Sequence, residues 1–131
     1  MPYSTIDKFL DKNLDASIAE LAELCAVPSV AAQKRGVTQC ADLVAAMFLK
    51  RDFTVEIMDT GGAPVVYAER KGKSDKTLIF YNHYDVQPED PIDLWDSEPF
   101  KLAQKDGKLF ARGISDDKGH LVSRLFALDA L

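Results

Sequence analysis

Two short segments carry side chains whose types and spacing could perform chemistry: residues 82–88, Asn-His-Tyr-Asp-Val-Gln-Pro, and residues 111–119, Ala-Arg-Gly-Ile-Ser-Asp-Asp-Lys-Gly. The first segment places His83 and Asp85 directly after an apolar run, and the second places Asp116 ahead of a predicted helix. An imidazole and a carboxylate are ligands that suit zinc and related divalent ions. Each segment therefore brings a candidate metal ligand to the end of a predicted rigid element.

His83 and Asp85 are two residues apart, so at the end of a strand their side chains point in the same direction. In that arrangement His83 can bind a metal through one ring nitrogen while Asp85 accepts a hydrogen bond from the other, which fixes the tautomer. The alternative is a surface histidine beside a solvated aspartate, because a motif this short recurs by chance. The residues alone leave both interpretations open.

Asp116 and Asp117 also have two interpretations. As acids at the start of a helix they resemble an N-cap and a favourable charge for the helix dipole. In the functional alternative, Asp116 gives one carboxylate oxygen to each of two metal ions. Gly113 would then permit a close backbone approach, and Gly119 would let the new helix pack closely on the sheet. Lys118 is interpreted as a charge that offsets the neighbouring acids.

Hydrophobic periodicity predicts helices and strands that alternate along the chain. Helices are expected at about 4–26, 37–51 and from 117 onward, strands at 53–57, 65–69 and 77–81, and a hairpin of 100–104 with 108–111. The segment Thr77–Tyr81 is uniformly apolar and is predicted to be a central, buried strand. We therefore expect an α/β fold with a mixed sheet and helices packed on both faces. The long connection 83–99 should lie near the metal site.

The chain has 131 residues and a formal net charge of −5, and we treat 1–131 as part of a single domain. The acidic balance argues against a nucleic-acid partner, and no apolar stretch is long enough to span a membrane. Cys25 and Cys40 fall on the predicted core faces of helices, which favours buried thiols over a disulfide. A reducing, cytoplasmic location is therefore expected.

Four motifs occur in order along the chain and are far more specific together than singly. They are His83–Pro88, Trp95–Phe100 (Trp-Asp-Ser-Glu-Pro-Phe), Asp106–Gly113 (Asp-Gly-Lys-Leu-Phe-Ala-Arg-Gly) and Asp116–Gly119 (Asp-Asp-Lys-Gly). The combination resembles the co-catalytic zinc metallopeptidase family of carnosine and non-specific dipeptidases, glutamate carboxypeptidase, aminoacylase and succinyl-diaminopimelate desuccinylase. The resemblance is greatest to the dipeptidase branch.

The resemblance implies a role for each site residue. His83 corresponds to the histidine ligand of one zinc, and Asp116 to the carboxylate that bridges two zincs. Asp85 corresponds to the acid behind His83 in the catalytic centre, and the Asp116–Asp117 peptide bond is expected to be cis. The complete enzyme would use two zinc ions, or manganese or cobalt in their place. It would hydrolyse dipeptides or N-acyl amino acids and act as a homodimer.

The resemblance also implies that residues 1–131 are the N-terminal part of a catalytic domain that is truncated at its C-terminal side. The general base, the remaining metal ligands and the lid domain that mediates dimerisation would follow Leu131. The last predicted helix supports this expectation, because it is still apolar at Leu131 and has no stop signal. Two ligands cannot hold two ions. We therefore expect the 131-residue chain to bind zinc weakly, with a partial or empty site, and to be inactive.

Two other classes of protein remain as alternatives. One is a non-catalytic α/β scaffold or binding module that lacks metal and self-associates through uncovered apolar surface. The other is a doubly wound binding domain, which shares the alternation of helices and strands but places its ligand at a Gly-rich turn. The sequence contains no such turn, so the metallopeptidase interpretation is preferred.

Overall fold

A computed structural model describes residues 3–131, although not the side chain of Tyr3. Three helices provide most of the core: α1 (Tyr3–Ala26), α2 (Val37–Leu49) and α3 (Lys118–Asp129). All three were predicted from their apolar periodicity. Their buried side chains form one cluster, which contains Leu21, Leu24, Cys25, Cys40, Val44, Met47, Leu121, Val122 and Leu125. The C-terminal half of α1 contributes most of its buried residues, and α1 packs against both α3 and α2.

Four strands form two separate antiparallel pairs. β1 (Thr54–Met58) pairs with β2 (Val65–Glu69) in a register that sets Val55 opposite Ala68, and α2 packs on this pair. β3 (Ala103–Lys105) pairs with β4 (Lys108–Phe110). Both residues of the β3–β4 turn, Asp106 and Gly107, have positive φ, as the Asp-Gly signal predicts. The predicted α/β class and the hairpin are therefore confirmed.

The predicted central strand at Thr77–Tyr81 is wrong. The segment has no ladder partner, and its large apolar side chains are exposed, with Ile79 83% and Leu78 74% accessible. A segment becomes a β-strand only when backbone hydrogen bonds join it to a neighbouring strand. Among the described residues, each strand pairs only within its own hairpin. The described chain therefore has two small antiparallel sheets where one mixed sheet was expected.

Cys25 and Cys40 are free and fully buried, which confirms the prediction of thiols in the core. Burial raises the pKa of Cys25 to about 11, although the nearby Lys118 ammonium opposes that shift, so the thiol stays protonated at neutral pH. Within residues 3–131, no helix is both long and apolar enough to cross a membrane.

Arg51 follows α2 and connects the three helices. Its guanidinium donates two hydrogen bonds to Glu20 of α1, at 2.9 and 2.7 Å, and others to Asp129 of α3, at 2.8–3.0 Å. Forked contacts of this kind fix orientation as well as distance. These contacts attach the C-terminal end of α3 to α1 and to the residue that follows α2.

Candidate metal centre

The segment that carries His83 is anchored from behind by Ser29, which is fully buried. The Ser29 hydroxyl donates to the carbonyl of Tyr84 at 2.6 Å, and the backbone N–H of Val86 donates to the carbonyl of Ser29 at 2.9 Å. Tyr84 and Val86 thus face the core. The alternation of an extended chain then directs His83 and Asp85 to the opposite, solvent-accessible side.

The structure brings together the two residues predicted as metal ligands. The Nε2 atom of His83 lies 2.9 Å from Oδ1 of Asp116, although the residues are 33 positions apart. The side chain of His83 is 39% exposed and that of Asp116 is 77% exposed, so both are open to an ion from solvent. The Asp116–Asp117 peptide bond is cis, as the resemblance implied.

Asp85 lies behind His83. The Nδ1 atom of His83 is 3.1 Å from the carbonyl oxygen of Asp85 and 3.2 Å from its carboxylate. A carbonyl can only accept, so Nδ1 is the donor, which orients the ring with Nε2 toward Asp116. Burial alone would lower the pKa of His83, but contacts with Asp116 and Asp85 outweigh it and raise the pKa.

Asp117 does not cap α3, because its side chain makes no capping hydrogen bond. Its carboxylate instead accepts hydrogen bonds from the Asn82 amide at 2.7 Å and from the backbone N–H of His83 at 3.3 Å. The other oxygen lies 2.7 Å from Nδ1 of His120. Desolvation would raise the pKa of Asp117, but these hydrogen bonds outweigh it and lower the pKa.

Lys118 is buried, which corrects the interpretation that it offsets neighbouring acids. Its ammonium donates to the carbonyls of Leu24 and Val27, at 2.9 and 2.7 Å, where α1 ends. Helix C-termini carry partial negative charge and unpaired carbonyls, which a cation satisfies. Burial lowers the pKa of Lys118. The residue therefore attaches the start of α3 to the end of α1.

Two glycines permit the tight path of this loop. Gly113 has φ +91°, and a β-carbon there would lie 2.9 Å from Cγ1 of Val86 and 3.0 Å from Cδ of Lys118. At Gly119 a β-carbon would lie 2.0 Å from the carbonyl oxygen of Ile114. Gly119 therefore contacts the preceding loop, and the expectation that it packs against a sheet is wrong.

His83 and Asp116 have the donor chemistry that a divalent ion requires. An imidazole nitrogen and a carboxylate oxygen face one another on an accessible surface, and zinc accepts both at about 2.0–2.2 Å. Among residues 3–131 there is no group of three or more His, Cys, Asp or Glu side chains that could hold a metal. The site fits a metal ion, but with two protein ligands it is incomplete.

Sequence reasoning did not identify Ser29, Asn82 or Arg124 as part of the support for this site. The guanidinium of Arg124 donates to the Tyr81 carbonyl and to the Asn82 amide oxygen, both at 2.6 Å. These contacts join residues that are at least 42 positions apart, and Arg124 lies outside every motif. Only the adjacency of Asn82 to His83 could have drawn attention to this residue.

Comparison with known proteins shows what the chain is similar to. Residues 79–131 match the family described as Peptidase family M20/M25/M40. The chain is 32% identical to the Cys-Gly metallodipeptidase dug1 of Schizosaccharomyces pombe, over 99% of this chain and 30% of the relative. It is also 32% identical to a succinyl-diaminopimelate desuccinylase of Herminiimonas arsenicoxydans, over 88% of this chain and 30% of that protein.

The fold has solved counterparts. Human carnosine dipeptidase 1 superposes with a TM-score of 0.89 at 28% identity, over 97% of this chain and 30% of that protein. The chain thus spans about 30% of the length of the curated relatives that it matches. These matches confirm the resemblance that the four motifs predicted.

Proposed function

From this relationship to the M20/M25/M40 peptidases, we propose that the chain is the N-terminal part of the metal-binding catalytic domain of an amide hydrolase. The observation that carries the proposal is the approach of His83 Nε2 to Asp116 Oδ1 at 2.9 Å. Chance would rarely bring together two residues that the family motifs single out independently. The share of about 30% of each relative supports the assignment to one part of a larger catalytic unit.

We propose zinc as the metal, with manganese or cobalt as substitutes, because an imidazole and a carboxylate suit these ions. Bound ions would supply Lewis acidity toward a scissile amide carbonyl and would acidify a water molecule. His83 and Asp116 would hold the metal. Asp85 keeps the His83 ring oriented through Nδ1, so that Nε2 would be the coordinating atom once an ion displaces its proton.

The substrate class follows from the relatives. One is described as a Cys-Gly dipeptidase and another as a succinyl-diaminopimelate desuccinylase, so small peptides or N-acyl amino acids are proposed here. We propose that the complete protein also has a lid domain and that it forms a homodimer through that domain. Two free, buried thiols support a reducing compartment such as the cytoplasm.

The incomplete ligand set predicts weak metal binding and no hydrolysis by the 131-residue chain. We expect Zn²⁺, titrated alone and followed by NMR, to shift the backbone amide signals of residues 84–86 and 115–117 with a dissociation constant above micromolar. His83→Ala and Asp116→Asn should each remove the shift, whereas Asp42→Asn, on the exposed face of α2, should not. Dipeptide hydrolysis, or submicromolar stoichiometric binding, would contradict the prediction of an inactive fragment. Zn²⁺ shifts that persist in both site variants would contradict the site itself.

A second candidate function is a metal-free, self-associating scaffold. The observation that favours it is the segment Thr77–Tyr81, which has no strand partner among the described residues and whose large apolar side chains are exposed. Self-association that chelators do not change, together with the absence of a Zn²⁺ effect at His83, would favour this candidate over the hydrolase.

A further inference from the structure

We propose that Asp117 is the positioning residue that sets the distance between His83 and Asp116, an inference that rests on the proposed metal site. Asp117 follows Asp116 directly, so a contact from its carboxylate also fixes the location of Asp116. One of its oxygens accepts the backbone N–H of His83 at 3.3 Å. The two candidate ligands are therefore joined by a hydrogen bond that does not involve the ligand atoms.

Asn82 makes this connection stronger. Its amide nitrogen donates to the same Asp117 oxygen at 2.7 Å, and its amide oxygen accepts from Arg124 of α3 at 2.6 Å. Arg124 also donates to the carbonyl of Tyr81 at 2.6 Å. Three consecutive residues, 81–83, are thus attached to the first two turns of α3 and to the residue that precedes the helix.

The hydrogen bonds that join residues 81–83 to Asp117 and Arg124 matter because no β-sheet supports the segment before His83. Residues 77–81 form no regular secondary structure, and no described strand pairs with them, so no sheet fixes the approach of the chain to His83. The Ser29 contacts hold Tyr84 and Val86, on the far side of His83. Asp117 and Asn82 therefore supply the restraint on the near side.

Asp117 is also suited to this role by its environment. Its side chain is only 17% exposed, whereas that of Asp116 is 77% exposed. Hydrogen bonds to a carboxylate are stronger than those between neutral groups, and limited solvent access preserves that strength. The two adjacent aspartates therefore have different roles. Asp116 is accessible to an ion from solvent, whereas Asp117 forms hydrogen bonds within the protein.

The test compares Asp117→Ala with Asp117→Asn and with the control Asp42→Ala, at one pH and at a temperature where each variant is folded. The first readout needs no metal: hydrogen exchange of the His83 backbone amide relative to that of Leu125 in the core. We expect selective loss of protection at His83 in Asp117→Ala. Asp117→Asn retains an acceptor oxygen and should restore part of it, while Asp42→Ala should match the parent chain.

The second readout is the Zn²⁺ dissociation constant from the His83 ring signals. Loss of a supporting hydrogen bond to a metal ligand typically weakens binding at least about 10-fold, and we expect this for Asp117→Ala with partial rescue by Asp117→Asn. Equal loss of protection at His83 and Leu125 would indicate general destabilisation and overturn the inference, as would unchanged exchange at His83. If the parent chain shows no Zn²⁺ effect at His83, the proposed function fails, while the exchange readout still decides the role of Asp117.

Discussion

Among the glycines of the chain, Gly119 is the one where a β-carbon would have the least room. A β-carbon would lie 2.0 Å from the carbonyl oxygen of Ile114, which belongs to the backbone and cannot rotate away. Gly119→Ala should therefore lower the free energy of unfolding by about 1–3 kcal/mol or more, because overpacking forces the backbone to shift. Urea unfolding measures the change.

The matched control is Gly72→Ala. Nothing lies within 4 Å of a β-carbon at Gly72, and its φ is not in the left-handed region. Its substitution should leave stability unchanged or raise it slightly, since alanine restricts the unfolded chain. Similar unfolding curves for the two variants would show that the loop at Ile114 adapts more readily than this geometry indicates.

The candidate metal ligands could be recognised from sequence, but their support could not. His83 and Asp116 stand in motifs whose resemblance to a metallopeptidase family implies metal coordination. Lys118 stands in the same motif, yet its partner Val27 is 91 positions away and is a backbone carbonyl, which has no sequence signature. Contacts of side chains with distant backbone atoms depend on the assembled fold, so local patterns cannot predict them.

At the scale of elements, the long loop after His83 is fixed by an ion pair. Arg35 lies just before α2 and binds the carboxylate of Glu89, and the Arg35 guanidinium also lies over the ring of Phe100 at 5.4 Å. The hydrogen bond from Arg35 lowers the pKa of Glu89 below its ordinary value of 4.5. A carboxyl whose pKa is lower when folded stabilises the fold when it is ionised.

This pair gives a pH dependence with a definite sign. The contribution of Glu89 is fully present above pH 4.5 and is lost as the pH falls through the lower, folded-state pKa. The parent chain should therefore exceed Glu89→Gln in free energy of unfolding at neutral pH, and the difference should shrink below pH 4.5. Urea unfolding across this range measures it. A constant difference, or one that grows as the pH falls, would contradict the assigned role of the ion pair.

Some secondary-structure elements are determined by local sequence signals, whereas others depend on a partner elsewhere in the chain. α1, α2 and the β3–β4 hairpin follow from periodicity and from the Asp-Gly turn, which are local signals. Thr77–Tyr81 has an equally clear apolar pattern, but a strand needs a partner that the pattern does not identify. The apolar pattern thus predicted a strand, but it could not show that the segment would have no ladder partner among the described residues.

For the molecule as a whole, that unpaired segment is the principal uncovered apolar surface beside the site. Leu78, Ile79 and Tyr81 are 74–83% exposed, and no described strand pairs with the backbone of this segment. An apolar strand with an open edge is a template for pairing with a second chain. We therefore expect the 131-residue chain to self-associate as its concentration rises.

Ile79→Lys tests this expectation, because a charged lysine on an open edge opposes pairing and need not disturb the buried core. Sedimentation velocity over a range of concentrations should show association of the parent chain and a shift toward monomer in Ile79→Lys. Leu94→Lys is the matched control, since Leu94 is 78% exposed but lies in a short 3₁₀ helix without a strand-like run. If both variants weaken association equally, net charge is the cause. If only Ile79→Lys weakens association, the association depends on the segment that precedes His83. Pairing of that segment with a second chain would then restrain the candidate metal site from the side opposite Ser29.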